Sequence, residues 1–380
     1  MMRKTYFDYA STTPVDPEVV RAMEPYLFEK FGNPSSPHVF GREAQRALED
    51  AREGAARSLG AKREEIVFTS GGSESNNTAI FGAARAFKGK GNHIILSRIE
   101  HPSVLEPVER LRQDGFEVTY VDVDGDGRVL VDQIKKAVTD KTILISVLHA
   151  SNEIGTIQPA AEIGKLAREK GIVFHVDAVQ TVGHIPVKVG DLNADAVAFS
   201  AHKIYGPKGV GALYIRQGVK IAGLILGGDQ ENGLRASTQN VAGAVGLAKA
   251  LALCEESSCR ECEQQTRWRT RIIETVLRRI DGVKLNGHPM ERLANNCHFS
   301  FERIQGESLL LSLDMAGIAA SMGSACKAGA MNPSHVLRAI GLSDELAMGA
   351  LRLTTGRWTK DGDVDFLLEQ LPKSVAQLRV

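Results

Sequence analysis

Short apolar runs alternate with helical patterns along the first two thirds of the chain. The apolar runs lie at Ile66–Ser70, His93–Ser97, Phe116–Val121, Ile143–Leu148, Ile172–Asp177, Asp195–Ser200 and Val210–Ile215. Helical patterns lie between several of them, at Glu74–Phe87, Val104–Gln113, Gln133–Val138 and Ala161–Glu169. Near-continuous apolar strands that alternate with helices are typical of a buried, mostly parallel sheet. The pattern therefore predicts an α/β domain.

The pattern changes after Gly233. A long helix is indicated from Val241–Cys254 onward to about Arg279, and shorter strands at Asn296–Phe301 and Ile318–Ser321. Further helices are indicated at Pro333–Ala339 and Asp363–Leu371. We expect a second, smaller α+β domain. The predicted boundaries are residues 15–255 for the large domain and residues 1–14 with 256–380 for the small one, with a hinge in the long helix near residues 250–265.

Charge and composition restrict the classes of function. The 380 residues include 46 Lys and Arg against 46 Asp and Glu, so the formal net charge is zero. Proteins that bind nucleic acids usually carry a basic excess, so we expect neither a nucleic-acid partner nor an anionic membrane surface. No apolar run has the length of a transmembrane helix, and the first residues lack the apolar core of a secretory signal. The five scattered cysteines favour free thiols in a reducing cytoplasm.

A lysine follows one of the predicted strands directly. The strand that ends at Ser200 continues into Ala201-His202-Lys203, and a glycine-rich turn follows at Gly206–Gly211. The carboxyl ends of strands form the binding crevice of open α/β sheets. A lysine held there and shielded from water has a lowered pKa, which favours Schiff-base chemistry. For these four residues alone, a surface lysine before a turn is the more frequent alternative.

Two other strand ends carry charged or aromatic side chains. Asp177 ends the run Ile172–Asp177, where a carboxylate either pairs with a cationic ring nitrogen of a cofactor or caps the next helix. His101 follows the run His93–Ser97, where an imidazole either stacks on a flat cofactor, moves protons or has only a structural role. Neither residue identifies a function alone.

A strand-to-helix turn rich in small residues precedes Glu74–Phe87. It reads Thr69-Ser70-Gly71-Gly72-Ser73. Backbone N–H groups at the start of a helix form an anion site that suits a phosphate, and a plain turn is the alternative. The turn matches neither G-x-G-x-x-G nor the Walker A motif, which disfavours dinucleotides and nucleoside triphosphates. Lysine, carboxylate, aromatic ring and phosphate cradle at the strand ends of one sheet together indicate pyridoxal phosphate.

These motifs, in this order, resemble the NifS/IscS group of cysteine desulfurases. The group lies among the aspartate-aminotransferase-like, fold type I enzymes, which are also described as class-V aminotransferase-like. The resemblance covers nearly the whole chain, through Phe7–Pro14, Gly32–Ser36, Thr69–Asn77, Glu100-His101, Asn152–Thr156, Val176–Gln180 and Ser200–Gly211. It implies a large domain with a seven-stranded, mostly parallel sheet, a smaller α+β domain, and bound pyridoxal 5′-phosphate.

The motif Gly323-Ser324-Ala325-Cys326 selects this group within the fold. The family places its nucleophilic cysteine at this position, so the resemblance implies that Cys326 is the nucleophile. The neighbouring Lys327 favours the thiolate. A buried, inert thiol is the alternative, which we favour for Cys297. We expect no resident metal ion; coordination of iron–sulfur species through Cys326 would occur only during transfer.

The resemblance also assigns roles to the site residues. Lys203 would bind the cofactor aldehyde and act as the base, Asp177 would pair with the pyridine nitrogen, and His101 would stack on the ring. The other cofactor contacts would be Asn152 and Gln180 on the ring-hydroxyl side, Gly72, Ser73, Ser200 and His202 at the phosphate, and Thr238 at the phosphate of a neighbouring subunit. The substrate would be bound by Asn33, Asn152 and Arg352.

The chain departs from the family pattern in two places. The family usually has R-S-G-T where this chain has Arg235-Ala236-Ser237-Thr238, so Ser237 replaces a glycine. The stretch Arg216–Leu226 is shorter and less basic than in close IscS relatives. Because of the first departure, the local backbone conformation need not match that of the family. Because of the second, the usual partner surface need not be present.

Three functions are consistent with the resemblance. The expected one converts L-cysteine into L-alanine, holds the sulfur as a persulfide on Cys326, and passes it to an acceptor protein such as an iron–sulfur scaffold. We expect a cytoplasmic homodimer, and the receiving pathway stays open. A selenocysteine lyase is one alternative of the same fold. A small-substrate aminotransferase is another, and it would not need Cys326. A non-catalytic sulfur-transfer scaffold is disfavoured by Lys203 and Cys326 together.

Four other cysteines need a separate interpretation. The spacing Cys254-x4-Cys259-x2-Cys262, with Cys297 later, resembles that of plant-type ferredoxins. On a helix, however, Cys259 would point away from Cys254 and Cys262. The helical pattern therefore disfavours a bound cluster.

Overall fold

The computed structural model describes residues 4–323 and 333–379. Cys326 lies outside the described residues. Among the helices that the structure does describe, none is both long and apolar enough to cross a bilayer.

The described residues form helices and strands in the following order. The strands are β1 Thr5–Tyr6, β2 Ile66–Thr69, β3 His93–Ser97, β4 Glu117–Val121, β5 Thr142–Leu148, β6 Val173–Asp177, β7 Ala196–Ser200, β8 Gly211–Ile215, β9 Val283–Leu285, β10 Asn296–Phe301, β11 Ile318–Ala319 and β12 Ala350–Thr354. The helices are α1 Pro17–Met23, α2 Pro25–Phe28, α3 Val39–Leu59, α4 Gly72–Phe87, α5 Pro102–Gln113, α6 Val131–Ala137, α7 Ala160–Lys170, α8 Val189–Leu192, α9 Val241–Arg279, α10 Gly306–Met315, α11 His335–Ala339, α12 Asp344–Met348 and α13 Asp361–Leu378.

A seven-stranded sheet has the order β2-β8-β7-β6-β5-β3-β4. β8 is antiparallel to β2 and β7, and the other pairs are parallel. The predicted fold class is confirmed, and every predicted strand of this sheet matches to within a residue at each end. The carboxyl ends of β2, β3, β5, β6 and β7 therefore point to the same edge of the sheet, where parallel sheets place their ligand sites.

A second core surrounds the antiparallel sheet β12-β10-β9. Its buried side chains come from both ends of the chain and include Phe7, Trp268, Leu313, Leu351 and Leu367. α9 is one continuous helix of 39 residues. Its first half contributes Leu247 and Leu251 to the core of the large sheet, and its second half contributes to the second core. The domain boundaries and the hinge within this helix stay predictions.

The helix α3, with 21 residues, is missing from the sequence-based expectations. Its buried face consists mostly of alanine, at Ala44, Ala51 and Ala55, together with Leu48 and Leu59, and these apolar residues recur at helical spacing. Two end signals were available. The side chain of His38 caps its first turn, and Gly60 ends it with φ 65°, a conformation that favours glycine. α10 and β12 were not predicted either.

Candidate active site

The amine of Lys203 lies in a partly buried turn directly after β7. Its Nζ donates hydrogen bonds to the carbonyl oxygens of Ala10, at 2.6 Å, and Ser11, at 2.7 Å. The pKa of this amine is lowered to about 8, mainly by loss of solvent contact and then by the positive charge of Arg352, while the charges of Asp8 and Asp177 act in the opposite direction. The unprotonated, nucleophilic form is therefore much more populated near neutral pH than in an ordinary lysine.

Asp177, the last residue of β6, is buried and faces the same cleft. One carboxylate oxygen accepts from the backbone N–H of Val179 at 3.0 Å, and the other accepts from Asn76 Nδ2 at 2.8 Å. The hydrogen bond from Val179 is a local one, of the kind expected for a carboxylate that caps the following segment. Asp177 nevertheless also lines the cleft. Asn76 was not among the expected site residues, and its buried Oδ1 has no hydrogen-bond partner within residues 4–323 and 333–379.

The first turn of α4 forms the opposite wall. Gly71 has φ 150°, and no side chain caps the helix, so the first N–H groups remain available to an anion. Gly72 lies so close to the loop after β6 that an added Cβ would be 2.6 Å from Val179 Cγ2. Ser73, Ser200 and His202 line the same wall. These groups fit a phosphate.

His202 and His101 are both held neutral. Burial lowers the pKa of His202 to about 4, assisted by the charges of Lys203 and Lys208. The pKa of His101 is also lowered, mainly by burial. The negative charge of Asp177 raises this pKa, whereas Lys203 and His335 lower it. His101 Nδ1 accepts from the backbone N–H of Ser103 at 3.0 Å, so the ring proton resides on Nε2.

Arg352 on β12 contacts the cleft residue Asn152 from the second sheet. Its Nη1 donates to the carbonyl oxygen of Asn152 at 2.6 Å, and its Nη2 donates to Asp8 Oδ1 and Ser11 Oγ, both at 2.8 Å. Nε is buried and has no partner among the described residues. Arg352 therefore contacts a residue of the cleft, Asn152, but does not itself line the cleft.

The structure brings most of the expected residues together. Nine of them line a cleft with an empty volume of ≈ 690 Å³: Gly72, Ser73, His101, Asn152, Asp177, Gln180, Ser200, His202 and Lys203. Arg352 is tied to this cleft through Asn152. Asn33 and Thr238 are exposed and do not line it, and Cys326 lies outside the described residues.

Glu100 is a site-proximal residue to which sequence reasoning gave no role. Its side chain is fully buried beside His101. Oε1 accepts from Ser97 Oγ at 2.5 Å and from the backbone N–H of Leu148 at 2.9 Å, and the buried Oε2 has no partner in the part of the chain that the structure describes. Burial raises the pKa of this carboxyl to about 8, so it is mostly protonated at neutral pH. A buried acid gives no signal in a single sequence.

The cysteines of α9 do not converge. Cys254 is buried and Cys259 is exposed. Within residues 4–323 and 333–379, no three His, Cys, Asp or Glu side chains form a group that could hold a metal ion.

Comparisons with known proteins agree with this geometry. Residues 5–367 match the family model described as aminotransferase class-V. The chain is 54% identical to the cysteine desulfurase IscS of Dictyoglomus turgidum, covering 100% of this chain and 96% of that relative. It is 51% identical to the cysteine desulfurase IscS of Methanosarcina thermophila, covering 99% and 93%.

Solved structures give the same result. A NifS-like protein with 37% identity superimposes with a TM-score of 0.93, covering 99% of this chain and 100% of that protein. A structure described as SspA in complex with cysteine, with 38% identity, gives a TM-score of 0.83 and covers 92% and 98%. The chain therefore belongs to the aminotransferase class-V family and, within it, to the cysteine desulfurases of the NifS/IscS group.

Proposed function

We propose that this chain is a pyridoxal 5′-phosphate-dependent cysteine desulfurase that converts L-cysteine into L-alanine. One observation carries the proposal: the Lys203 amine, the Asp177 carboxylate and the open first turn of α4 surround one cleft, to which Arg352 is tied. The solved relative that holds cysteine supports L-cysteine as the substrate.

The donor set of the cleft fits pyridoxal phosphate. The first turn of α4 with Ser73 would hold the phosphate, Asp177 the pyridine nitrogen, and Lys203 the aldehyde carbon. Gln180 and Asn152 would lie on the ring-hydroxyl side, and His101 would stack on the ring. When bound, the cofactor supplies an electron sink for the bonds that break at the substrate.

The side chains then divide the work of the reaction. The guanidinium of Arg352 would bind the substrate carboxylate and fix its orientation, with Asn33 and Asn152 contributing. Lys203, once its amine is free, would remove and return a proton at the substrate α-carbon, and a pKa near 8 suits both transfers. The carbonyl oxygens of Ala10 and Ser11 would hold that amine in place.

The sulfur step uses Cys326. Its thiolate attacks the substrate sulfur, an S–S bond forms, and the substrate Cβ–S bond breaks. The electron pair of that bond passes to the substrate, which takes up a proton at Cβ and leaves as alanine. Cys326 keeps the sulfur as a persulfide. We propose that an acceptor protein, such as an iron–sulfur scaffold, receives it.

The function is tested by alanine release from L-cysteine together with the intact mass of the protein. We expect stoichiometric alanine and a one-sulfur adduct in the wild type, and neither persulfide nor turnover in Cys326→Ser with its cofactor spectrum preserved. Lys203→Ala is expected to lose the cofactor–lysine absorbance. Full turnover by Cys326→Ser would contradict the nucleophile assignment, and a pyridoxamine product would indicate an aminotransferase. Faster turnover of selenocysteine alone would indicate the lyase.

We also propose a cytoplasmic homodimer. Leu27, Phe28, Phe31 and Phe40 are 48–67% exposed within one short stretch of sequence. Monomers rarely expose this much apolar surface together, and a second copy of the chain would cover it. Thr238 would then face the cofactor phosphate of the partner. A monomer by light scattering, for both wild type and Phe31→Ser, would contradict this proposal. The four free thiols support a reducing compartment.

A further inference from the structure

Glu153 contacts the chain on both sides of the stretch that contains Cys326. This carboxyl lies in the loop after β5, next to Asn152, and its residue is 3% exposed. Oε2 accepts a hydrogen bond from Ser334 Oγ at 2.6 Å. On the other side, a Cβ built on Gly323 would lie 3.4 Å from both Cβ and Cγ of Glu153. The Glu153 side chain therefore lies close to Gly323, the last described residue before the stretch. It also accepts a hydrogen bond from Ser334, the second described residue after the stretch.

Neighbouring groups fix both contacts. Ser334 Oγ also accepts from the backbone N–H groups of Val336 and Leu337, at 3.1 and 3.3 Å, and so caps α11. Because the hydroxyl accepts these two bonds, its single proton is directed to Glu153. His335 Nε2 donates to the carbonyl oxygen of Glu100 at 3.0 Å. The start of α11 is thus attached to two loops that line the cofactor cleft.

The side before the stretch is fixed in a similar way. His298 Nε2 lies 3.2 Å from the carbonyl oxygen of Met322, and its Nδ1 lies 3.0 Å from Asn286 Nδ2. Burial lowers the pKa of His298 to about 3, so the ring is neutral and its one proton lies on Nε2, facing Met322. Asn296 Nδ2 donates to the carbonyl oxygen of Glu153 at 3.0 Å, which orients the Glu153 backbone on the same core.

We propose that Glu153 is a positioning residue for sulfur transfer: beside Gly323, it holds Ser334 and with it the start of α11 against the loop after β5, and the rate of sulfur uptake by Cys326 depends on this contact. The proposal rests on the proposed function, in which Cys326 is the nucleophile. Glu153 touches neither substrate nor cofactor in it. Burial raises the pKa of the Glu153 carboxyl. The hydrogen bond from Ser334 and the charges of His335 and Arg352 lower it in part. Glutamine keeps a carbonyl oxygen at the position of Oε2 that can accept from Ser334 Oγ, so it should replace Glu153.

The test compares Glu153→Ala with Glu153→Gln in the holoenzyme. We expect Glu153→Ala to slow persulfide formation on Cys326 about tenfold or more in a single turnover, because small displacements of reacting groups have costs of this size. KM for L-cysteine and the cofactor spectrum should stay close to wild type. Glu153→Gln should restore the rate to within about threefold, since the amide keeps an acceptor for Ser334. Equal rates for wild type and Glu153→Ala, or loss of the cofactor spectrum in it, would overturn the proposal.

A second measurement does not depend on desulfurase activity. The rate of alkylation of Cys326 by iodoacetamide should rise in Glu153→Ala and return in Glu153→Gln, while exposed Cys259 reacts equally in all variants. An unchanged Cys326 rate would overturn the positioning role. If the wild type forms no persulfide but alkylation changes as expected, the positioning role stands and the proposed function fails.

A matched control separates helix capping from positioning. Ser334→Ala removes both the α11 cap and the bond to Glu153. Ser343→Ala removes only the cap of α12, where Ser343 Oγ accepts from the backbone N–H of Leu346. We expect Ser334→Ala to resemble Glu153→Ala and Ser343→Ala to resemble the wild type. If both serine variants lose persulfide formation equally, the effect belongs to helix stability and the proposal is wrong.

Discussion

The properties of Lys203 at the residue scale follow from its surroundings. Two carbonyl oxygens hold its amine, Arg352 repels its positive charge and Asp8 attracts it. A lysine is protonated below its pKa, so only the fraction that loses its proton can attack the cofactor aldehyde. With a pKa of about 8, this fraction at pH 7 is roughly a hundredfold or more larger than in an exposed lysine.

We therefore predict that cofactor attachment to the apoenzyme accelerates as the pH rises and levels off above about pH 8. Arg352→Gln should move the inflection to higher pH, because a charge that lowers the pKa is lost. Asp8→Asn should move it to lower pH, because a charge that raises it is lost. The rate is read from the cofactor–lysine absorbance after mixing. A pH-independent rate, or shifts of the opposite sign, would show that another group controls attachment.

Ser237 keeps the backbone of a glycine without being one. The family pattern has glycine here, and the altered motif left the local backbone in question. Ser237 has φ 99°, so the segment before Thr238 takes a conformation that disfavours a side chain. The strain persists because neighbours fix the segment: Arg235 pairs with Glu74 at 3.0 Å, and the backbone N–H of Ser237 donates to Gln230.

We predict that Ser237→Gly stabilises the protein by about 1 kcal/mol, since the strain at positive φ exceeds the entropy cost of glycine. The free energy of unfolding in urea measures this. Ser35→Gly is the control, because Ser35 is also exposed but does not have a positive φ, and it should be neutral or destabilising. Equal effects of the two exchanges would refute the strain at Ser237.

At the scale of helices and strands, the elements that could be predicted are those whose burial is visible in their own amino-acid composition. The strands β5 and β7 are buried on both faces, so their residues are apolar except for Thr142, Ser146 and Ser200. α3 was missed although its buried alanines and leucines recur at helical spacing, on the face that packs against α9. The contact of Arg352 with Asp8 joins residues at opposite ends of the chain, and no local pattern contains it.

The start of α4 depends on a close approach that only glycine allows. We predict that Gly72→Ala weakens pyridoxal phosphate binding about tenfold or more, which corresponds to about 1.4 kcal/mol, because the new Cβ would meet Val179 Cγ2 at 2.6 Å. Adding Val179→Ala should recover part of the affinity. Gly190→Ala in α8, where an added Cβ meets nothing within 4 Å, is the control. Affinity is measured by cofactor titration of the apoenzyme, and unchanged binding by Gly72→Ala would contradict a phosphate site at this turn.

For the whole molecule, the cleft combines groups from both sheets and from the N-terminal segment. Ala10 and Ser11 reach Lys203, while Asp8 and Ser11 reach Arg352. Sequence motifs placed most of the large-sheet residues correctly in one cleft, since they lie at strand ends. They gave no sign that Glu100 is a buried acid behind the site, because its burial results from the packing of β3 against β5.

Glu100 links the stability of the fold to pH. Its carboxyl keeps its proton in the folded protein up to about pH 8, whereas an unfolded chain releases it near the ordinary value of 4.5. Between these values the folded state binds more protons than the unfolded state, so this group destabilises the fold progressively as the pH rises, by an amount on the order of a few kcal/mol.

We predict that Glu100→Gln, which keeps the side chain neutral at every pH, gains stability relative to the wild type as the pH rises from 5 toward about 8. The difference should level off above that pH. Unfolding in urea across this range measures it, and Glu256→Gln on the exposed side of α9 controls for the exchange itself. A constant difference from pH 5 to about 9 would mean that Glu100 is already ionised in the folded protein. The hydrogen bonds from Ser97 and Leu148 to Oε1 would then stabilise a buried carboxylate whose Oε2 has no partner among the described residues.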